Sequence, residues 1–177
     1  MKRFSLSALS LLVVTLVGCA LSGCGYSLVG RGSNLPAEVR RVQLLPLENA
    51  TPRSQVDQIL TRALSSELVN RHRFEVLSSP EGADAILSGK VSSFTLSPVT
   101  FDDEGRATEY EIAIVVSVQF KQVAPETLLY QNENYLFRQS YEVKASELGF
   151  QDRETPAIEA TAKDFAESLV TDLLEGF

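Results

Sequence analysis

Thiol, imidazole and indole chemistry are nearly absent from this chain. Its 177 residues contain no Trp, one His and two Cys. The cysteines are Cys19 and Cys24, both close to the N-terminus, so the remainder offers no disulfide, no thiol nucleophile and no Cys-based metal site. His72 stands alone in Arg71-His72-Arg73, at the expected end of a helix, where a cation complements the helix dipole. One histidine cannot build a paired-His metal site. No Gly-x-Ser-x-Gly elbow and no Gly-rich phosphate loop is present, and nothing points to a cofactor. Acidic residues are plentiful, so a hydrolase built on two carboxylates stays open as a minor reading.

What the chain does have begins at once. Lys2 and Arg3 precede an uncharged run from Phe4 to Leu21, rich in Leu, Val and Ala. That order is a secretory signal peptide. It ends in Leu21-Ser22-Gly23-Cys24, a lipobox: small residues precede the scissile bond, and the Cys24 thiol accepts a diacylglycerol. Leu16-Val17-Gly18-Cys19 is a weaker upstream match. One acyl chain holds a protein only marginally, whereas the several chains on a lipoprotein cysteine hold it stably. Gly25 follows the cysteine where enteric bacteria place Asp to retain a lipoprotein in the inner membrane, so the outer membrane, on its periplasmic side, is the expected destination.

Without residues 1–23 the chain has 154 residues, enough for one domain with its own core. Lys2 and Arg3 leave with the signal, and 14 basic against 23 acidic side chains remain, a formal net charge of −9. That balance argues against a nucleic-acid partner, which would want a basic stripe. Residues 24–36, rich in Gly and Ser, read as a lipidated flexible tether, and 37–177 as a single domain.

Within the domain, Val39 to Leu47 reads as a strand ending at Pro46. A turn leads to a helix starting at Thr51-Pro52 or at Ser54. Val56, Ile59, Leu60, Ala63, Leu64 and Leu68 form its apolar stripe. Phe74 to Leu77 is short and extended. Ala85 to Leu96 forms a strand in which Gly89 marks a bulge or a close backbone approach. Asp102-Asp103-Glu104-Gly105-Arg106 is a hairpin turn with Gly105 at positive φ. Beyond it, Tyr110, Ile112, Ile114, Val116, Val118 and Phe120 alternate with more polar residues, the pattern of a half-buried strand. A further strand, Leu128 to Val143, turns Tyr135, Phe137 and Tyr141 inward and Asn132, Asn134, Arg138 and Ser140 outward. A helix from Thr155-Pro156 carries Ile158, Ala162, Phe165, Leu169 and Leu173. The expected fold is an α+β two-layer sandwich: a four-stranded, mostly antiparallel sheet with two helices on one face. The other face is then open and polar.

The start Cys24-Gly25-Tyr26-Ser27-Leu28, the hairpin Gly105 with Glu109-Tyr110, and the alternation from Ile112 to Phe120 together resemble the LptE family of lipopolysaccharide-assembly lipoproteins. The resemblance spans nearly the whole mature chain through short motifs. It implies a protein with no covalent chemistry, which acts as plug and assembly partner of LptD, the outer-membrane β-barrel that inserts lipopolysaccharide, and which binds lipopolysaccharide itself. Only the Cys24 anchor carries over residue by residue. From their positions on the hairpin tip or outward strand face, Arg106, Lys121 and Arg138 are candidates for phosphate contacts. Ser117, Gln119, Asn132 and Asn134 are candidates for the partner interface. The opening strand and helix are also similar to modules of curli secretion or of penicillin-binding-protein activation, which is the alternative reading.

Replacing Cys24 by Ser should abolish incorporation of labelled palmitate and release the chain from membranes, whereas Cys19→Ser should leave labelling intact.

Overall fold

A computed structural model describes residues 35–142 and 151–175 of the chain. The signal peptide, Cys24 and nearly all of the tether lie outside the described residues, as does Val143. Eight elements follow one another: β1 (Arg41–Leu44), β2 (Glu48–Asn49), α1 (Val56–Asn70), β3 (Glu75–Leu77), β4 (Ala85–Phe101), β5 (Ala107–Gln122), β6 (Thr127–Glu142) and α2 (Gln151–Glu175). The class is α+β with two helices, as the sequence implies. The sheet differs from the expected four mostly antiparallel strands: it has six and is mixed, in the order β3-β1-β4-β5-β6, with β2 also on β4.

The parallel part comes from the N-terminal segment. β1 pairs parallel with both β3 and β4, and β2 pairs parallel with β4. Of the expected strand from Val39 to Leu47 only β1 forms, and β2 falls where the sequence implies a turn, at Glu48-Asn49. Pro46 has no N–H to give to a ladder, so pairing breaks around it. The Leu45 N–H still reaches the Leu87 carbonyl at 2.9 Å, and the Ala50 N–H reaches that of Val91 at 2.9 Å. The chain thus follows β4 across the break. Asp84 pins the start of this arrangement, its carboxylate accepting the backbone N–H groups of Arg40 (3.1 Å) and Arg41 (2.8 Å) and the Arg41 guanidinium (2.7 Å). The Arg41 side chain and these backbone bonds hold the Asp84 carboxyl well below the usual carboxylate range.

Both helix starts differ from expectation. Thr51 does not cap α1. Its N–H and hydroxyl are bound by Asn49 Oδ1 at 2.9 and 2.8 Å, and the helix opens after Gln55, in the left-handed region at φ 66°. α2 begins at Gln151, which places Pro156 inside its early turns. The helix α1 ends through His72, also left-handed at φ 54°.

The core lies on one side of the sheet. Along β5, Ile112, Ile114, Val116, Val118 and Phe120 are all buried while the residues between them are not. Leu60, Leu64 and Leu68 of α1 and Ile158, Ala162, Phe165, Leu169 and Leu173 of α2 close over that face. Burial of each such large side chain contributes roughly 1.5–3 kcal/mol. The rings of Tyr135 and Phe137 on β6 meet Phe165 edge-on at 5.8 and 6.0 Å.

Gly89 is a close approach rather than a bulge. It stays in register opposite Val118. A methyl group there would lie 2.6 Å from the Ser117 carbonyl oxygen and 3.0 Å from Leu47 Cδ2. Gly105, at φ 76°, supplies the hairpin conformation that the sequence calls for. Gly89→Ala should lower stability by about 1–3 kcal/mol, read as a lower urea midpoint, because the backbone oxygen it meets cannot rotate away.

Candidate interaction surface

The sheet face opposite the helices is formed by the alternate residues of the three long strands. Ladder pairs put their side chains on the same side. Ser117 therefore joins Lys90, and Gln119 joins Ser88 and Gln131, all on the open face. Together with Glu133 these residues line an open groove of about 450 Å³. Ser117 Oγ lies 3.5 Å from the Lys90 carbonyl oxygen, and Gln131 donates to Glu133 Oε1 at 3.2 Å. Further toward the hairpin tip the open face carries Ala113 and Arg138, paired with one another, and Val115 with Leu136. Leu136 is half exposed. The surface is rich in hydroxyls and amides and carries charges of both signs, Glu48 and Glu133 against Lys90 and Arg138.

Ser117 and Gln119 stand where the sequence places them. Asn132 does not. β6 slips register between Tyr135, opposite Val116, and Asn132, opposite Val118. The extra residue is a β-bulge, and it reverses the facing of everything before it. Asn132 thus shares the helix side with the buried Val118, where its side-chain oxygen accepts the Asn134 N–H at 2.9 Å. Asn134 lies in the bulge itself and is exposed. The run Asn132-Glu133-Asn134 is a poor strand former and was the available signal for this irregularity.

The three candidate cations do not converge. At about 3.4 Å per residue, Arg106 and Lys121 lie roughly 50 Å apart along β5, with Arg138 about midway, opposite Ala113. Arg106 is also engaged locally. Its guanidinium contacts Asp102 Oδ2 at 2.8 Å and Glu104 Oε2 at 2.6 Å. The Arg106 backbone N–H and guanidinium in turn hold the Asp102 carboxyl below its ordinary range. A phosphate there would have to displace two carboxylates. Lys121 and Arg138 are exposed and make no ion pair among the described residues.

A polar cluster that the sequence reading missed joins β6 to α2. The Tyr135 hydroxyl lies 2.8 Å from Ser168 Oγ and donates to Asp172 Oδ2 at 2.8 Å. Burial, with the Asp172 carboxylate adding to it, pushes the Tyr135 phenol well above its ordinary range, so it stays protonated and donating. The signal was present: a core-facing Tyr needs a partner, and Ser168 and Asp172 are one turn apart on the helix. Arg71 adds a second tie, from the end of α1 to Thr171 Oγ1 at 2.8 Å.

Among the described residues no group of three His, Cys, Asp or Glu side chains is arranged to hold a metal, and no helix is long and apolar enough to cross a membrane.

This architecture, a mixed sheet with helices on one face and an open polar face on the other, recurs in solved structures of low sequence identity. A putative lipoprotein from Caulobacter crescentus shares it at 14% identity, with a TM-score of 0.50 over 75% of this chain and 87% of that one. A hypothetical protein from Chlamydia trachomatis (11% identity, TM-score 0.54, 78% and 96% covered) and a protein from Xanthomonas campestris (10%, 0.55, 80% and 88%) share it too. No curated protein matches the chain in sequence. The family model for LptE, lipopolysaccharide-assembly, matches residues 39–173. The chain belongs to that family.

Tyr135→Phe should cost about 1.5–3 kcal/mol, because it removes a hydrogen bond to a charged partner. Amide exchange should accelerate in β6 and α2 before it does in β1.

Proposed function

We propose that this chain is an outer-membrane lipoprotein, anchored through Cys24, that serves as plug and assembly partner of the LptD β-barrel that inserts lipopolysaccharide into the outer leaflet. Membership of the lipopolysaccharide-assembly family carries the reading, and the open sheet face supports it. A barrel lumen is polar, and the hydroxyl and amide side chains of Ser117, Gln119 and Gln131 can exchange hydrogen bonds with it, while Lys90 calls for an acidic or hydrogen-bonding partner there. The partner contacts are assigned to Ser117, Gln119 and the exposed Asn134. The role is one of binding and placement and needs no covalent step.

Direct binding of lipopolysaccharide is the second element of the proposal. Lys121 and Arg138, exposed on the open face, are the residues free to meet phosphate, each as a separate contact. Arg106 serves the hairpin turn instead.

Affinity capture of the lipidated chain from detergent-solubilised outer membranes should recover a large β-barrel in near one-to-one amount. Recovery of a periplasmic wall synthase in its place would transfer the assignment to the activator type, and recovery of no barrel would overturn it.

A further inference from the structure

The far end of the β4–β5 hairpin has an exposed apolar pair that neither the core nor the open face uses. The last five residues of β4, Ser97 to Phe101, are all exposed, although alternate residues of a strand point to opposite faces. The β4 strand of the hairpin is therefore bare over this stretch, while Tyr110 of β5 stacks on Tyr141 of β6 at 5.8 Å. Register shifts at Pro98/Thr100 and Thr100/Phe101 interrupt the regular ladder. At the end of β4 Phe101 is 57% exposed and Val99 49% exposed.

The tip is rigid enough to present them. Asp102 N–H and Gly105 N–H close the turn onto the Arg106 and Asp102 carbonyls, each at 2.9 Å. Asp102 Oδ1 accepts the N–H groups of Glu104 and Arg106 at 3.1 and 2.8 Å. Thr100 Oγ1 donates to Glu109 Oε2 across the strands at 2.8 Å. A large apolar side chain held on an ordered turn resembles an anchor that fills a pocket on a partner.

The charges around it state what that pocket's rim must be. Between Val99 and Glu109 the chain carries Asp102, Asp103, Glu104 and Glu109 against Arg106 alone. That one cation is held by Asp102 and Glu104. Phosphate-bearing surfaces are therefore disfavoured by like charge, and a basic rim is favoured.

We infer that the β4–β5 hairpin tip is a docking probe, in which Phe101 and Val99 enter an apolar socket on a protein partner whose rim is lined by Lys or Arg. This rests on the proposed function, with the barrel as the partner that carries the socket.

The test compares Phe101→Ser and Asp103→Lys with the unaltered full-length, lipidated chain in co-purification with the barrel, across a range of salt. Asp103 makes none of the turn bonds above, and equal thermal midpoints would verify that both variants fold. Phe101→Ser should reduce barrel recovery about tenfold or more. Asp103→Lys should reduce it at low salt, with the difference fading as salt rises. Equal recovery by all three chains overturns the inference and leaves the proposed function standing. Loss with Phe101→Ser but no effect of Asp103→Lys at any salt overturns the basic rim. Phe101-dependent binding of the purified chain to vesicles of anionic phospholipid overturns the protein partner in favour of a lipid surface. Recovery of no barrel by the unaltered chain overturns the proposed function and this inference with it.

Discussion

Covering a sheet on one side only imposes a rule on every strand that crosses it. Each must be apolar at alternate positions and tolerable to water at the rest. β5, with a long strand on either side, obeys this over its whole length: five consecutive inward positions from Ile112 to Phe120 are buried, and Ser117 and Gln119 face the other way. The helices have only to supply matching stripes. Their spacing fixes which faces meet, so Leu64 of α1 and Phe165 of α2 enter the same core. The open face is a residue of that same rule. It carries hydroxyl, amide and charged side chains with a few isolated apolar ones such as Leu136, a mixture that meets water without a third layer.

Legibility in the sequence follows how local each determinant is. The alternation of β5, the two helical stripes and the Gly105 turn each depend on residues within one window, and each is read correctly. The parallel part depends on residues far apart in the chain. Asp84 must meet the backbone of Arg40 and Arg41 for β1 to lie beside β4, and no periodicity reports that meeting. Thr51 shows the same limit at short range. It has the composition of a cap, but Asn49, two residues earlier, competes for its hydroxyl and N–H. The helix start moves to Gln55, in a conformation that residue type rarely adopts.

The surface was less legible than the core, and the bulge in β6 shows why. A single extra residue at Glu133-Asn134 leaves Tyr135 and Phe137 facing inward as the pattern implies, yet turns Asn132 to the helix side. Buried positions announce themselves through apolar residues and tolerate no slip. Polar positions on an edge strand tolerate either facing, so composition leaves their side undetermined. The bulge has a second effect, since β6 is an edge of the sheet and an irregular edge is a poor template for another strand. The Tyr135 cluster then fixes that edge to α2 from the inside.

The same separation explains how proteins only 10–14% identical to this chain share its architecture. A core defined by alternation and two stripes asks for apolar side chains of suitable volume, and many combinations satisfy it. Identity can fall very low without loss of the fold. That requirement weighs least on the open face and on the far end of the β4–β5 hairpin, where Ser97 to Phe101 are exposed. Those parts can change with the partner while the scaffold stays, so likeness of fold alone fixes no ligand. An exposed Phe on an ordered turn costs solubility and adds nothing to the core. The packing that holds the domain together does not account for Phe101, which is 57% exposed.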